Sequence, residues 1–244
     1  MELFFSKEIS DGCRVLDKQE SNHCIKVLRH RQGDEINVSD GRGNLYRCVV
    51  TDPSPTATGF SIENVVEGYG SPPYTLPIAV APPKNPDRFE WFAEKATEIG
   101  VDEITPLVGD YSERKIFKGE RTGRIVVSAA KQSHKGAVPS LGELCRVKDF
   151  LQREWPEGTV RLICYCDDPS PMGGAKIPIT AALEAHPQCR DYVVMIGPEG
   201  DFSREEIQTA VSSGWQVVSL GESRLRIETA ALTAVSAVYL HFSR

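Results

Sequence analysis

Tyr192-Val193-Val194-Met195-Ile196-Gly197-Pro198-Glu199-Gly200-Asp201-Phe202 is an apolar run that breaks abruptly into a polar, glycine-bent loop. The same event recurs downstream. Trp215, Val217, Val218 and Leu220 lead to Gly221 and then through Ser223-Arg224-Leu225-Arg226-Ile227-Glu228-Thr229-Ala230 into an apolar helix. Short apolar runs bounded by glycine and proline read as buried strands, and in open α/β sheets the ligand crevice lies beyond the carboxyl ends of such strands. Two such loops, expected on neighbouring strands, read as the walls of one small-ligand site. Gly197-Pro198-Glu199-Gly200 is neither a G-x-G-x-x-G fingerprint nor a Walker loop, so a phosphate cradle is not indicated. It offers backbone amides and carbonyls at a sharp bend, which suit a flat heterocycle. Alone, Glu199 reads as a turn residue, and Arg224, Arg226 and Glu228 as a salt-bridged cap with Glu228 well placed at a helix N-terminus. The occurrence of both loops in one chain favours a site.

Working outward, Ser203 and Glu206 form a capping box for a helix ending at Gly214. Glu228 to Phe242 is the last helix, with Leu232, Val235 and Tyr239 on one face. Upstream, strand and helix alternate. Leu76 to Val80 is a buried strand, and Asn85-Pro86 starts a helix that ends at Gly100. Glu103 to Val108 is a strand, Arg121 to Ser133 a helix, Lys148 to Arg153 a short helix and Val160 to Cys166 a strand. Alternating β and α predicts a mostly parallel sheet with helices on both faces. Before Gly68 the pattern differs. A short helix spans Gln19 to Arg29, with Ile25 and Leu28 expected to face a core. Strands follow at Glu35 to Ser39, Leu45 to Thr51 and Gly59 to Val66, the first two joined at Asp40-Gly41. This reads as a small, barrel-like β domain. Gly68 to Pro73 is the break, placing domains at 1–70 and 74–244.

The chain has 244 residues, 40% hydrophobic and 25% charged, as expected of a soluble globular protein. No apolar run approaches the roughly 20 residues that span a membrane, and Met1-Glu2-Leu3-Phe4-Phe5 lacks the character of a signal peptide. Seven scattered cysteines predict reduced thiols and a cytoplasmic location. Cys164 and Cys166 read as strand residues, with no metal site expected. The net charge of −6 argues against indiscriminate coating of nucleic acid. Between Tyr111 and Lys135, however, seven basic residues (Arg114, Lys115, Lys118, Arg121, Arg124, Lys131, Lys135) stand against Glu113 and Glu120. A solvated helix face is the ordinary explanation, but such a concentration in an acidic chain is read as an RNA-facing surface.

Together, Ile196-Gly197-Pro198-Glu199-Gly200 and Leu220-Gly221 with Leu225-Arg226-Ile227-Glu228-Thr229-Ala230 closely resemble the RsmE family of SPOUT-class ribosomal RNA methyltransferases. The resemblance extends to His23 with Val27-Leu28-Arg29, Gly33-Asp34, Asp40-Gly41-Arg42-Gly43, Lys84, Lys95-Ala96-Thr97-Glu98-Ile99-Gly100-Val101, and Ala130 with Gln132-Ser133. It implies a C-terminal domain with a deep trefoil knot, preceded by a PUA-like barrel that helps to hold RNA. It also implies a homodimer, S-adenosylmethionine as cofactor, and methylation of N3 of a uridine in 16S, small-subunit rRNA, within or apart from the assembled subunit. Cofactor contacts are expected from Ile196, Gly197, Pro198, Glu199, Gly200, Leu220, Gly221, Leu225, Arg226, Glu228, Thr229 and Ala230. RNA contacts are expected from His23, Arg29, Arg31, Arg42, Lys84, Arg114, Lys131 and Lys135. The chain departs from the family pattern at Ser223-Arg224-Leu225-Arg226, where Arg-Ile-Leu-Arg is common, and at His134-Lys135, where Gly-Arg often stands.

A sulfonium donor needs no activation by protein, so alignment supplies much of the acceleration. Uridine N3 carries a proton and must be unpaired, and a cation near O2 or O4 stabilises its anion in a dry pocket. Arg226 and Arg224 are the candidates for that cation, with Glu199 or Glu228 as base, orienter or plain cap. The rival readings are an RNA-binding assembly factor without catalysis and, more weakly, a nucleotide hydrolase.

Overall fold

The computed structural model describes residues 2–243, which form two compact units. One comprises the chain through Ser71 together with Val127–Val138; the other comprises Pro72–Val126 and the chain from Pro139 onward.

The first unit contains β1 (Leu3–Phe5), α1 (Lys18–Asn22), β2 (Glu35–Ser39), β3 (Leu45–Asp52) and β4 (Gly59–Val66). They form a four-stranded sheet in that order, with β1 parallel to β2 and the remaining pairs antiparallel. Phe4, Ile9, Leu16, Cys24, Ile36, Val38, Cys48, Val50 and Phe60 make its core. The helix expected from Gln19 to Arg29 is two pieces. After α1, residues His23–Val27 form a π-helical turn, with the Leu28 amide donating to the His23 carbonyl at 3.0 Å. The wider turn moves the inward position to Cys24 and leaves Leu28 37% exposed, contrary to the sequence expectation. Residues 127–138 complete this unit. Ser39 Oγ donates to the Gly136 carbonyl at 2.7 Å, as does the Gly43 amide at 3.0 Å.

The second unit opens with β5 (Pro77–Val80), α2 (Pro86–Ile99), β6 (Glu103–Val108) and α3 (Gly119–Gln132), whose latter part, from Val127, belongs to the first unit. Asn85 Oδ1 caps α2 by accepting from the Asp87 amide at 3.0 Å, and Pro86 occupies the first turn. Next come β7 (Ser140–Leu141), β8 (Cys145–Arg146), α4 (Val147–Leu151), β9 (Val160–Cys164), β10 (Lys176–Pro178) and α5 (Ile179–Glu184). The chain finishes with β11 (Tyr192–Ile196), α6 (Arg204–Ser212), β12 (Gln216–Ser219) and α7 (Ile227–Phe242). Strand order is β10-β12-β9-β11-β5-β6-β7, with β8 also on β6, and every pairing is parallel. Burial of β11 at every residue explains its unbroken apolar run. The Ser203–Glu206 capping box is present in both directions.

Two expectations are corrected here. β11 and β12 are not neighbours, because β9 lies between them. The buried face of α7 is Ile227, Ala231, Ala234, Val235 and Val238, whereas Tyr239 is 43% exposed; small side chains let the helix lie close to its neighbours. Among the described residues no helix is long and apolar enough to cross a membrane.

Glu103 and Arg153 lock β6 to the segment after α4 through two bonds of 2.5 and 2.8 Å, and the guanidinium also stacks 4.4 Å from the Trp155 ring. The Arg153 bonds hold the Glu103 carboxyl below the ordinary glutamate range. A depressed acid contributes stability above its unfolded value near 4.5 and loses it as pH falls through the folded one. Arg153→Met is therefore expected to cost about 1 kcal/mol near neutrality, after allowance for the exposure of Arg153. In urea melts the difference from wild type should shrink below the glutamate range, leaving what the Trp155 stack contributes.

Candidate functional site

β9, β11 and β12 end side by side, and their outgoing loops enclose a cavity of about 730 Å³, within the span of small-molecule sites. Its first wall is Ile196, Gly197, Pro198, Glu199, Gly200 and Asp201, and its second runs from Val218 through Ile227 to Glu228 and Ala230. The third, Cys164, Tyr165, Cys166 and Asp167, follows from the position of β9 and was absent from the sequence reading; so were Arg88 and Lys176. The expected strand through Cys166 stops at Cys164, which frees Cys166 and Asp167 to face the cavity.

Backbone clamps set the shape of these walls. Glu199 Oε1 accepts from the Lys84 amide at 3.1 Å, tying the first loop to the segment after β5. Asp201, with φ of 62°, accepts from the Cys166 amide through Oδ2 at 2.9 Å and from the Phe202 amide through Oδ1 at 2.8 Å. The carboxylate thus joins the loops after β9 and β11. Burial raises its pKa, opposed by the two amide donors. Lys176 Nζ donates to the Cys166 and Asp167 carbonyls at 2.7 and 2.8 Å, fixing the third wall from β10. Gly221 has φ of 112°, a conformation open to glycine and strained for other residues, and it turns the chain from β12 toward α7. A side-chain β-carbon at Gly200 would stand 2.9 Å from the β-carbon of Tyr111. Gly200→Ala is therefore expected to displace the first loop and weaken small-ligand binding about tenfold, measured by calorimetry, with little change in thermal stability.

Of the residues singled out from sequence, Ile196, Gly197, Pro198, Glu199, Gly200, Leu220, Gly221, Arg224, Leu225, Arg226, Glu228 and Ala230 line the cavity, whereas Thr229 lies outside its lining. Arg224 and Arg226 are exposed and make no ion pair among the described residues. Glu228 is 9% exposed; Oε1 stands 3.7 Å from Arg88 Nε, and Oε2 has no hydrogen-bond partner among the described residues. Arg88 offsets part of the charge of this buried carboxylate, and its second oxygen is left to accept from a donor group of a ligand.

The expected RNA-contact residues fall in different places. In the second unit, Lys84 and Arg114 are joined through Arg114 Nη1, which donates to the Lys84 carbonyl at 3.2 Å, and Lys84 Nζ lies 3.6 Å from Glu113. In the first unit, Arg29 and Arg31 are exposed beside the π-helical turn, with Arg29 at φ of 63°. Arg42 is exposed after β2, and His23 meets Glu2 Oε1 at 3.2 Å. Lys131 is paired with buried Glu20, and burial lowers the pKa of Lys135. No group of His, Cys, Asp and Glu suited to a metal occurs among the described residues.

A family model described as "RNA methyltransferase domain" matches residues 71–239, and one described as "RNA methyltransferase PUA domain" matches residues 16–57. The chain is 30% identical to ribosomal RNA small subunit methyltransferase E of Mycobacterium bovis, covering 99% of this chain and 92% of that one. Its structure is similar to a probable rRNA-methyltransferase from Porphyromonas gingivalis, with a TM-score of 0.87, 34% identity, and coverage of 100% of this chain and 99% of that one. It is also similar to a ribosomal RNA small subunit methyltransferase E from Neisseria gonorrhoeae bound to S-adenosyl methionine, with a TM-score of 0.77 and 27% identity, covering 97% and 96% of the two chains.

Proposed function

The chain belongs to the RsmE family of ribosomal RNA methyltransferases, and from that premise we propose that it uses S-adenosylmethionine to methylate N3 of a uridine in 16S, small-subunit rRNA. The observation that carries this reading is the cavity at three parallel strand ends with two arginines on one wall that form no ion pair among the described residues. The residues present fit the cofactor: bent backbone on two walls suits an adenosine, and Glu228 has an oxygen left to accept from a donor group. Ile196 to Gly200 on one side and Leu220, Gly221, Leu225 and Ala230 on the other would hold it. Bound there, S-adenosylmethionine supplies an electrophilic methyl group on sulfur.

The chain's own residues have three tasks. Asp201 joins the first and third walls and Glu199 ties the first to the segment after β5, a fixed frame against which the acceptor nitrogen would be aligned with the methyl group. Arg226, with Arg224 on the same wall, places a guanidinium against O2 or O4 of the uracil and stabilises the negative charge left when N3 gives its proton to water. Bound cofactor and base would displace water from the cavity and strengthen that interaction. In this proposal the first unit, residues 1–71 with 127–138, is the PUA-like domain that helps to hold RNA, and the second is the knotted catalytic domain, a division that departs from the sequence boundary in placing 127–138 with the first. The enzyme works as a homodimer in the cytoplasm, on RNA within the small subunit.

The test is methyl transfer from labelled S-adenosylmethionine to small subunits and to naked 16S rRNA, with the product nucleoside identified by mass spectrometry. N3-methyluridine is expected. Methylation of a ribose oxygen would overturn the N3 assignment, and failure to bind S-adenosylmethionine, or binding of ATP in its place, would overturn the reading as a whole.

A further inference from the structure

We propose that the loop from Gly109 to Lys118 is a stacking platform for an unpaired RNA base beside the cavity, with the Tyr111 ring as its surface; this rests on the RNA-methylating role proposed above. Tyr111 is 56% exposed although its β-carbon lies against Gly200, a residue of the cavity wall, so its aromatic ring begins at the cavity rim and turns outward. Burial of apolar surface therefore does not account for an aromatic residue here.

The loop has no regular secondary structure but is firmly held. The Gly109 amide donates to Ser112 Oγ at 2.9 Å, and the Asp110 amide to Glu206 Oε1 at 3.1 Å. Ser203 Oγ donates to Asp110 Oδ2 at 2.6 Å, so the α6 capping box anchors the residue before Tyr111. Further along, Arg114 is fixed between the Lys84 and Ile116 carbonyls. A loop backbone fixed in advance loses little entropy when the ring it carries receives a partner.

The charge around the ring selects the class of partner. In a chain of net charge −6, Lys115 and Lys118 stand exposed with no ion pair among the described residues, and Arg114 and Lys84 lie beside them. Elsewhere in the same basic run Arg121 is paired with Glu90 at 3.1 Å and Lys131 with Glu20. An exposed aromatic ring flanked by uncommitted lysines matches the chemistry of single-stranded RNA, whose bases stack on aromatic faces while cations meet the phosphates. N3 of a uridine becomes reachable only when the base is out of its pair, and a neighbouring base loses a stacking partner when that happens. The Tyr111 ring replaces that partner.

The experiment compares wild type, Tyr111→Phe and Tyr111→Ala in three measurements: the KM for small-subunit RNA in methyl transfer, S-adenosylmethionine affinity by calorimetry, and ultraviolet cross-linking of wild type to the RNA with peptide mapping. The alanine variant is expected to raise KM about tenfold or more, the loss of one stacked base. The phenylalanine variant should stay near wild type, cofactor affinity should remain within twofold for both, and the cross-link should map to the loop. An unchanged KM for alanine without a cross-link in the loop overturns the platform. So does a loss of cofactor affinity in the alanine variant as large as its rise in KM, which would mark the Tyr111 ring as packing for Gly200, or a change of sedimentation mass in the alanine variant, which would mark it as a contact between copies. A cross-link in a protein that transfers no methyl group would preserve the platform and remove the enzymatic reading instead.

Discussion

Arg226→Ala is expected to slow methyl transfer to small-subunit RNA by about 10²–10³-fold, the effect typical of removing a preorganised group from a developing anion. Affinity for S-adenosylmethionine should change only a few-fold, since the contacts proposed for the cofactor come largely from backbone. The argument rests on availability. Arg226 lines the cavity, is exposed, and is the extended residue that caps α7 without a side-chain capping bond, so among the described residues its guanidinium has no ion-pair partner. Of the other two arginines on the lining, Arg88 is already placed against Glu228. Arg226→Lys should recover part of the rate, because an ammonium keeps the charge but loses the planar fork that matches a carbonyl edge. Arg224→Ala should cost less, and the double variant shows whether the two act on the same charge. Single-turnover assays with saturating cofactor make the measurement. Wild-type turnover by Arg226→Ala would remove it from the mechanism and direct attention to Arg224.

The second large effect concerns stability. Lys131→Met is expected to destabilise the first unit by about 3 kcal/mol, because it leaves a buried carboxylate without its cation. Glu20 is 6% exposed, Oε1 is held by Lys131, and Oε2 has no partner among the described residues. The double variant Glu20→Leu with Lys131→Met should regain most of the loss, since an apolar pair removes the desolvation penalty along with the attraction. Urea melts of the two variants decide the point, and equal destabilisation by both would place the cost elsewhere. Any fall in RNA affinity of the single variant has to be measured where the protein remains folded. The pair also shows why Lys131 is a different kind of cation from Lys115: one is spent on a buried partner, the other faces solvent.

Much of this was readable from residue pattern. Where local chemistry decides, as at the Asn85 cap, the Ser203–Glu206 box, the strand over Glu103–Val108 and the glycine breaks at Gly197 and Gly221, sequence and structure coincide. What was hidden depends on tertiary order. Insertion of β9 between β11 and β12 leaves no periodicity to read, so the third cavity wall at Tyr165, Cys166 and Asp167 went unseen. β7, β8, β10 and α5 are too short for a hydrophobic period to emerge. On the apolar α7 almost every face looks like an inner one, and packing alone distinguishes Val235 and Val238 from Tyr239. The π-helical turn misled for a related reason: a change of helical pitch shifts every residue beyond it, and nothing in His23-Cys24-Ile25-Lys26-Val27 announces the change.

Residues 127–138 belong with the N-terminal sheet though they are synthesised after the first strands of the other unit. A recombination event at the Gly68–Pro73 boundary would leave Ser39, Gly43 and Glu20 without the carbonyl and ammonium that satisfy them. The small sheet is therefore a poor candidate for shuffling as an independent cassette. Lineages that inherit it in this form must inherit the middle of the chain with it.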